Sequence, residues 1–255
     1  MTEPQNPVTP LPLSMTVRSR DLPTPTRALA IGAHPDDVDF GCGATLAKWA
    51  AAGCEVSIVV CTDGSKGTWD PSTDTAELVA SRQREQRNAA AALGATGQVV
   101  FLGWPDGGLE SGVEQRWQVA HWIRRLRPDI VVGHDPWKRY RLHPDHRHAG
   151  WLTTDGIVAA RDPLFFPEQQ LAHWRPGALL LFEADQPDHV EDVSGYEQDK
   201  VSALLAHASQ FESTMHATSG AELDRFRDGV AERLTSAGRS VGVRAAEVFK
   251  LIDDL

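Results

Sequence analysis

The sequence predicts an α/β fold, in which helices cover both faces of a mostly parallel, doubly wound sheet. Short apolar segments alternate with longer amphipathic segments, as strands and helices do in such folds. The apolar segment 56–61 contains one polar residue, which is typical of a strand covered on both faces. Gly53 and Gly94 each follow an amphipathic segment, where a left-handed residue commonly ends a helix. The predicted order of elements is therefore Rossmann-like.

Strands and helices alternate over the first two thirds of the chain. The strands are predicted at 28–33, 55–62, 98–102, 129–134 and 178–183. The helices are predicted at 43–52, 75–93, 113–126 and 145–160. Beyond residue 185 the pattern changes to two helices, at 196–209 and 222–237, followed by a last strand at 247–252. Residues 1–26 are polar and rich in proline, and they predict a disordered tail before a single domain at 27–255.

Composition excludes several classes of protein. The net charge of −10 argues against a general nucleic-acid binder. The sequence has no run of 18 apolar residues, so no membrane span is predicted, and the polar tail lacks the apolar segment of a signal peptide. Three cysteines are an odd number without a CxxC pattern, which favours a reducing, cytoplasmic environment over a disulfide framework.

Two clusters of histidine and aspartate follow predicted strands. The first is His34-Pro35-Asp36-Asp37, directly after 28–33, and the second is His143-Pro144-Asp145-His146, soon after 129–134. In open α/β sheets, ligands bind at the carboxyl ends of the strands, so both clusters lie where a ligand is expected. Imidazole and carboxylate groups together are most often ligands of zinc. The pattern predicts one zinc ion, Zn2+, held between the two loops.

The residue types also predict chemistry around that ion. A catalytic zinc site has three protein ligands and an open position. If the ion takes one histidine and one aspartate from the first cluster and one histidine from the second, a carboxylate and an imidazole remain. A Lewis acid, a general base and a general acid or oxyanion stabiliser are the groups needed for metal-assisted hydrolysis.

Other interpretations of these residues remain open. The first cluster alone is compatible with a capped turn before a helix. Gly41-Cys42-Gly43 suggests a dinucleotide loop, although the full GxGxxG pattern is absent and a tight turn is the simpler explanation. His148 competes with His146 as a ligand, and His134 and Asp135, at the end of a predicted strand, are candidates for supporting the site.

Several motifs together resemble one family, the LmbE/PIG-L-type zinc-dependent N-deacetylases, which include mycothiol, bacillithiol and N-acetylglucosaminyl deacetylases. The motifs are 33–37, 41–46, 61–64 and 143–146, with Arg82, Glu85, Lys200, His207, Ser209 and Gln210. The resemblance implies an N-acyl, most often N-acetyl, hydrolase that acts on an amino sugar or related small molecule. Members form oligomers, so a homo-oligomer is also an expectation.

The resemblance implies a role for each matching residue. His34, Asp37 and His146 match the metal ligands, and Asp36 matches the general base that takes a proton from the attacking water. His143 matches the residue that stabilises the oxyanion and protonates the leaving amine. Asp145 would orient an imidazole, a common support for catalytic and metal-binding histidines. Where many members have glutamate after the paired aspartates, this chain has Val38 and then Asp39.

Two further residues are candidates for binding the substrate. In the family, an arginine in the setting of Arg82 contacts the substrate, and the loop that holds Asp106 contacts a sugar hydroxyl. A surface ion pair for Arg82 and a turn for Asp106 are the alternatives. Two other functions also remain open: a non-catalytic metal-binding protein on the same fold, and a metal hydrolase acting on another bond.

Overall fold

The computed structural model describes residues 16–255, which form one mixed sheet and six α-helices. The strands are β1 (Ser19–Arg20), β2 (Arg27–Gly32), β3 (Glu55–Thr62), β4 (Val99–Trp104), β5 (Ile130–His134), β6 (Ala178–Phe182), β7 (His189–Asp192) and β8 (Ala246–Ile252). The helices are α1 (Asp37–Ala51), α2 (Thr75–Ala92), α3 (Val113–Leu126), α4 (Pro144–Arg161), α5 (Glu197–Leu205) and α6 (Gly220–Val241). Short 3-10 turns lie at Pro167–Gln169 and Ala208–Gln210.

The sheet has the spatial order β1-β7-β8-β6-β5-β2-β3-β4. Neighbouring strands are parallel except at β8, which runs antiparallel to both β6 and β7. The chain leaves β2 toward β3 and β4 on one side and then returns to place β5 on the other side. Such a reversal leaves a crevice at the carboxyl ends of β2 and β5, where α/β proteins bind ligands.

Side chains of the central strands alternate between two apolar layers. Ala28 and Ala30 of β2 pack with buried residues of α1, α2 and α5. Leu29 and Ile31 of the same strand pack with buried residues of α3 and α4. Because successive side chains of a strand point to opposite faces, helices must cover both sides of these apolar strands. The predicted fold class, a mostly parallel sheet with helices on both faces, is confirmed.

The largest differences between the predicted and observed elements lie in three places. Helix α1 begins at Asp37 rather than at residue 43, and its backbone is kinked at Cys42, where φ is −148°. The short strands β1 and β7 were not predicted, and they pair with each other in parallel. Residues 1–15 of the predicted tail lie outside the described residues, whereas Ser19–Arg20 forms the edge strand.

The glycines near the first cluster lie inside a helix and do not form a dinucleotide loop. Gly41 belongs to α1, and a Cβ atom there would stand 2.5 Å from Cδ2 of Phe182. The close approach of β6 therefore explains this glycine. Gly53 and Gly94 have φ of 93° and 73° after α1 and α2, as their positions in the sequence predict. Within residues 16–255, no helix is long and apolar enough to cross a membrane.

Candidate metal centre and active site

The first loop of the site connects β2 to α1. It carries His34 and Asp36, and Asp37 follows as the first residue of α1; all three are buried and line a cavity. Asp36 is the residue before α1 and has a left-handed backbone, with φ 95° and ψ −27°. Polar groups buried at the end of an apolar strand need partners that replace water. The second loop supplies several of them.

The second loop connects β5 to α4. His143 directly precedes α4, Pro144 is the first helical residue, and Asp145 and His146 lie in the first turn. Proline suits this position because the first helical N–H needs no intrahelical partner. Since β5 lies beside β2 in parallel, the two loops leave the sheet at the same edge and face each other.

The three predicted ligand residues meet between the loops. His146 Nε2 lies 3.2 Å from Asp37 Oδ1, and His34 Nδ1 lies 3.4 Å from Asp37 Oδ2. One donor atom from each residue lies within 4.8 Å of the other two. Two imidazole nitrogens and one carboxylate oxygen form a donor set that suits zinc, so these residues fit a divalent metal ion.

The opposite nitrogen of His34 faces two carboxylates. His34 Nε2 lies 3.1 Å from Asp145 Oδ2 and 3.2 Å from Asp106 Oδ1. If Nε2 donates its proton to these oxygens, Nδ1 is left unprotonated toward Asp37, as is common for histidines that bind metals. Asp145 is held in turn by backbone N–H groups of the β4–α3 loop, at 2.6 and 3.2 Å.

Two other groups of side chains within residues 16–255 have similar spacing. They are His34, Asp106, His143 and Asp145, and His134, His146 and Glu183. In the second group, Arg141 Nη1 lies 2.8 Å from Glu183 Oε2 and within 3.3 Å of both histidine Nδ1 atoms. A guanidinium at this position already neutralises the carboxylate and disfavours a second cation.

The surroundings of His34 and Asp37 shift the pKa values of these two predicted ligands in opposite directions. Burial would lower the pKa of His34, but its hydrogen bonds with three neighbouring carboxyl groups raise that pKa well above the usual value. Burial would raise the pKa of Asp37, but the charges of His146 and His134 lower it well below the usual value. Asp37 is therefore an ionised carboxylate among imidazoles.

Asp36 has a different environment from Asp37. Burial raises the pKa of Asp36 to about 6, the charge of Arg82 opposes this rise, and the charge of Asp37 adds to it. Arg82 Nη2 lies 3.5 Å from Asp36 Oδ2. A carboxyl group with this pKa is suited to accept and release a proton near neutral pH.

His143 lies beside two of the predicted ligands. Its ring centroid is 4.7 Å from that of His34 and 4.6 Å from that of His146, and the residue is exposed to the cavity. Burial, followed by the charges of those two histidines, lowers the pKa of His143. A lower pKa makes the protonated imidazole a stronger acid.

Arg82 and Asp106, the two predicted substrate-binding residues, both line the cavity. The guanidinium of Arg82 also donates to two backbone carbonyl oxygens, at 2.7 and 2.9 Å. Asp106 Oδ2 accepts the backbone N–H of Lys66 at 3.0 Å. Burial would raise the pKa of Asp106, but the hydrogen bond and charge of His34 lower it to about 2.

The other residues considered from the sequence occupy separate places. His134 Nε2 lies 3.1 Å from Asp37 Oδ2, next to the candidate metal centre. Asp135 accepts two backbone N–H groups and lies outside the cavity lining. His148 Nδ1 lies 3.1 Å from Ser111 Oγ, and His148 is in none of the three candidate groups of the described residues.

Several residues of the site had no motif that could reveal them. Gln86 on α2 contacts the backbone of Asp36, and Lys66 lies at the cavity on the loop after β3. Glu183 ends the predicted strand 178–183, so its place at a carboxyl end was the available signal. Asp39 stands 2.9 Å from His207 Nε2, a pairing that sequence separation hides.

A cavity of about 450 Å³ opens over these residues. Most of the lining residues are polar or charged, and they come from the loops after β2, β3, β4, β5 and β6, from α1, α2 and α4, and from the segment after α5. The lining residues are His34, Asp36, Asp37, Phe40, Lys66, Gly67, Arg82, Asp106, Gly107, His134, His143, His146, Glu183, Gln210 and Thr214. This volume is within the range of small-molecule sites.

Comparison with known proteins identifies the family. A sequence profile described as PIG-L, GlcNAc-PI de-N-acetylase, matches residues 29–157, which include both clusters. Diacetylchitobiose deacetylase from Thermococcus kodakarensis is 34% identical over 188 residues, covering 72% of this chain and 70% of that protein. The chain belongs to the PIG-L family.

Two further proteins are similar to this chain over most of its length. The 1D-myo-inositol 2-acetamido-2-deoxy-alpha-D-glucopyranoside deacetylase of Actinosynnema mirum is 30% identical over 83% of this chain and 89% of that protein. The structure of N,N'-diacetylchitobiose deacetylase from Pyrococcus horikoshii has a TM-score of 0.81, with 29% identity, covering 90% of this chain and 84% of that chain. These PIG-L relatives are named deacetylases, which are amide hydrolases. The predicted resemblance is confirmed.

Proposed function

We propose that this protein is a metal-dependent amide hydrolase that removes an N-acyl group, most often N-acetyl, from an amino sugar or related small molecule. One observation carries the proposal. Two loops from neighbouring strands bring His34, Asp37 and His146 together, with Asp36 and His143 on the same cavity. A protein that only bound metal would need the first three side chains but neither of the last two.

The proposed metal is zinc, Zn2+, held by His34, Asp37 and His146. The donor set supports this choice, as do the carboxylates that face His34 Nε2. When bound, zinc would supply a Lewis acid that polarises the amide carbonyl and promotes deprotonation of water. Asp145 would fix the tautomer of His34, which makes it a supporting residue in the proposed site.

Asp36 is proposed to take the proton from the attacking water. Its carboxyl group lies on the cavity, beside Arg82, and is not needed to complete the ligand set. His143 would stabilise the negative charge that develops on the carbonyl oxygen and then donate a proton to the leaving nitrogen. Its ring lies next to both ligand histidines and faces the cavity, which supports this role.

The proposed substrate is a small N-acetylated glycoside or amino sugar. The relatives' names concern N-acetylated sugars, and the cavity here has the volume of a small-molecule site with polar and charged side chains in its lining. Asp106 would accept a hydrogen bond from a sugar hydroxyl, and Arg82 would contact the substrate from the cavity wall. A homo-oligomeric assembly and a cytoplasmic location stay predictions.

The test is a substrate panel with the zinc-loaded protein, read by release of free amine. The panel distinguishes the candidate reactions by four compounds: N-acetylglucosamine, diacetylchitobiose, an N-acetyl amino acid and a phosphate monoester. We expect amine release from at least one N-acetyl sugar and no hydrolysis of the phosphate monoester. Asp188→Asn serves as the control for Asp36→Asn, because Asp188 pairs with Lys250 away from the cavity. If the unmodified protein releases amine no faster than the Asp36→Asn variant does, the proposal is wrong.

A further inference from the structure

The peptide group between Pro35 and Asp36 is held at both ends by one helix. The carbonyl oxygen of Pro35 accepts a hydrogen bond from Arg82 Nη2 at 2.7 Å. The N–H of Asp36 donates to Gln86 Oε1 at 2.8 Å. Residues four apart lie on the same face of a helix, so α2 presents a donor and an acceptor to a single peptide plane.

This peptide precedes a strained residue. Asp36 has φ 95°, a left-handed conformation that residues with a Cβ rarely adopt. Its own carbonyl oxygen begins α1 by accepting the N–H of Phe40 at 3.0 Å. The turn lets two consecutive residues, Asp36 and Asp37, both face the cavity. A conformation of this kind persists only where the surroundings impose it.

The orientation of the Gln86 amide is itself determined. Gln86 is fully buried, and its Nε2 donates to Asp39 Oδ2 at 2.8 Å. The same carboxylate oxygen lies 2.9 Å from His207 Nε2. The Asp39 carboxylate oxygen accepts from the amide nitrogen, which leaves the amide oxygen for the N–H of Asp36. A rotated amide would place two donors against each other.

We propose that Gln86 is a positioning residue for the general base. Its hydrogen bond to the Asp36 N–H fixes the left-handed turn, and the turn directs the Asp36 carboxylate at the attacking water. Asp39 and His207 keep the amide of Gln86 in the required orientation. The inference rests on the proposed function, in which Asp36 takes the proton. Gln86 is absent from the cavity lining, so it acts through Asp36 and does not touch the substrate.

The first experiment replaces Gln86 by methionine, which has similar length but no acceptor for the Asp36 N–H. The matched control is Gln83→Met, the same change on the same helix at a side chain outside the cavity lining. We expect Gln86→Met to retain its zinc and its KM while kcat falls about 10²-fold, the loss expected from a displacement of about 1 Å. Gln83→Met should keep the kcat of the unmodified protein.

A second variant guards against misfolding of the first. Gln86→Asn keeps an amide but is one methylene shorter, so it cannot reach both Asp36 and Asp39. As in Gln86→Met, kcat should fall. The KM, the zinc content and the melting temperature should stay nearly unchanged. A purely structural role for Gln86 would lower the melting temperature without this selective loss of kcat.

The outcomes distinguish this inference from the proposed function. If the unmodified protein releases no amine from any N-acetyl sugar, the proposed function fails. If it is active and both Gln86 variants keep the kcat of Gln83→Met, the positioning role alone is wrong. A rise in KM without a fall in kcat, loss of zinc, or failure of both variants to fold would equally overturn the positioning role.

Discussion

At the scale of single residues, the adjacent carboxyl groups of Asp36 and Asp37 have pKa values shifted in opposite directions. Burial raises the pKa of Asp36 to about 6, whereas the histidines around Asp37 lower its pKa well below the usual value despite burial. The difference comes from what each group faces, since Asp37 lies against His134 and His146 and Asp36 lies at 3.5 Å from a single guanidinium. Environments that push two pKa values apart are typical of sites where one carboxylate stays ionised and the other transfers a proton.

The first prediction concerns Asp36. Asp36→Asn keeps the shape of the side chain but cannot accept a proton from water. We expect the variant to retain its zinc, measured by elemental analysis, and to lose about 10²–10⁴-fold in turnover, the usual contribution of general acid–base catalysis. Loss of zinc together with turnover would show that Asp36 is a ligand.

The second prediction concerns the ligands. His146→Ala removes one of three donors around the candidate metal centre and should lose most of its bound zinc. His148→Ala, two residues later on α4, is the matched control, because His148 contacts Ser111 and not the cluster. It should retain a full equivalent of zinc. If the two variants hold equal amounts of metal, the assignment of His146 is wrong.

At the scale of elements, the sequence predicts the apolar strands well and the polar ones poorly. β3 has the predicted bounds, 55–62, because continuous apolar residues identify a strand covered on both faces. β7 was missed because its buried residues include the polar residues His189 and Glu191, so the segment lacks the apolar pattern of a buried strand. In the structure His189 Nε2 lies 2.8 Å from Glu191 Oε1. The start of α1 was missed because the turn at Asp36 and the kink at Cys42 interrupt the helical pattern.

The start of α6 had a signal in the sequence. Ser219 and Glu222 form a capping box, in which each side chain binds the other's backbone N–H. Hydrogen bonds from the backbone N–H and hydroxyl of Thr218 lower the pKa of Glu222 to about 2. A carboxyl group whose pKa is lower in the folded state stabilises that state above its unfolded pKa, and the contribution is lost as pH falls.

The third prediction follows from the lowered pKa of Glu222. Glu222→Gln removes the titrating group but keeps the shape of the side chain. The unmodified protein should exceed the variant in free energy of unfolding at pH 6, and the difference should shrink as pH falls below about 4.5 toward about 2. Urea unfolding followed by circular dichroism at pH 6 and at a pH near 3.5 measures it. A difference that is constant over this interval would contradict the role of the charge.

At the scale of the whole molecule, the meeting of the two clusters follows from the topology. β2 and β5 are neighbours although about a hundred residues separate them, so their loops face one crevice. The motifs therefore predict the central site. Gln86 and Lys66 could not be predicted, because neither belongs to a motif, although motif residues stand close to both in the sequence. Their places depend on how the helices and loops pack on the finished sheet.

The edge strands β1 and β7 are joined to helix α1 by a largely buried ion pair. Lys48 of α1 lies 2.5 Å from Glu191 of β7, and Glu191 is fully buried. The same ammonium group contacts Asp21, just after β1, at 2.7 Å. A buried carboxylate stabilises a fold only while its partner remains, because desolvation of an unpaired charge is costly.

The fourth prediction uses that dependence. Lys48→Met should lower the free energy of unfolding by about 3 kcal/mol, since it leaves Glu191 buried without its cation. Lys250→Met is the matched control, because the Lys250 side chain is 39% exposed against 18% for Lys48, and exposed ion pairs contribute less than about 1 kcal/mol. Urea unfolding of both variants gives the comparison, and their zinc content should equal that of the unmodified protein because both lysines lie outside the cavity lining. Equal losses of stability in the two variants would mean that His189, 2.8 Å from Glu191, compensates the carboxylate without Lys48.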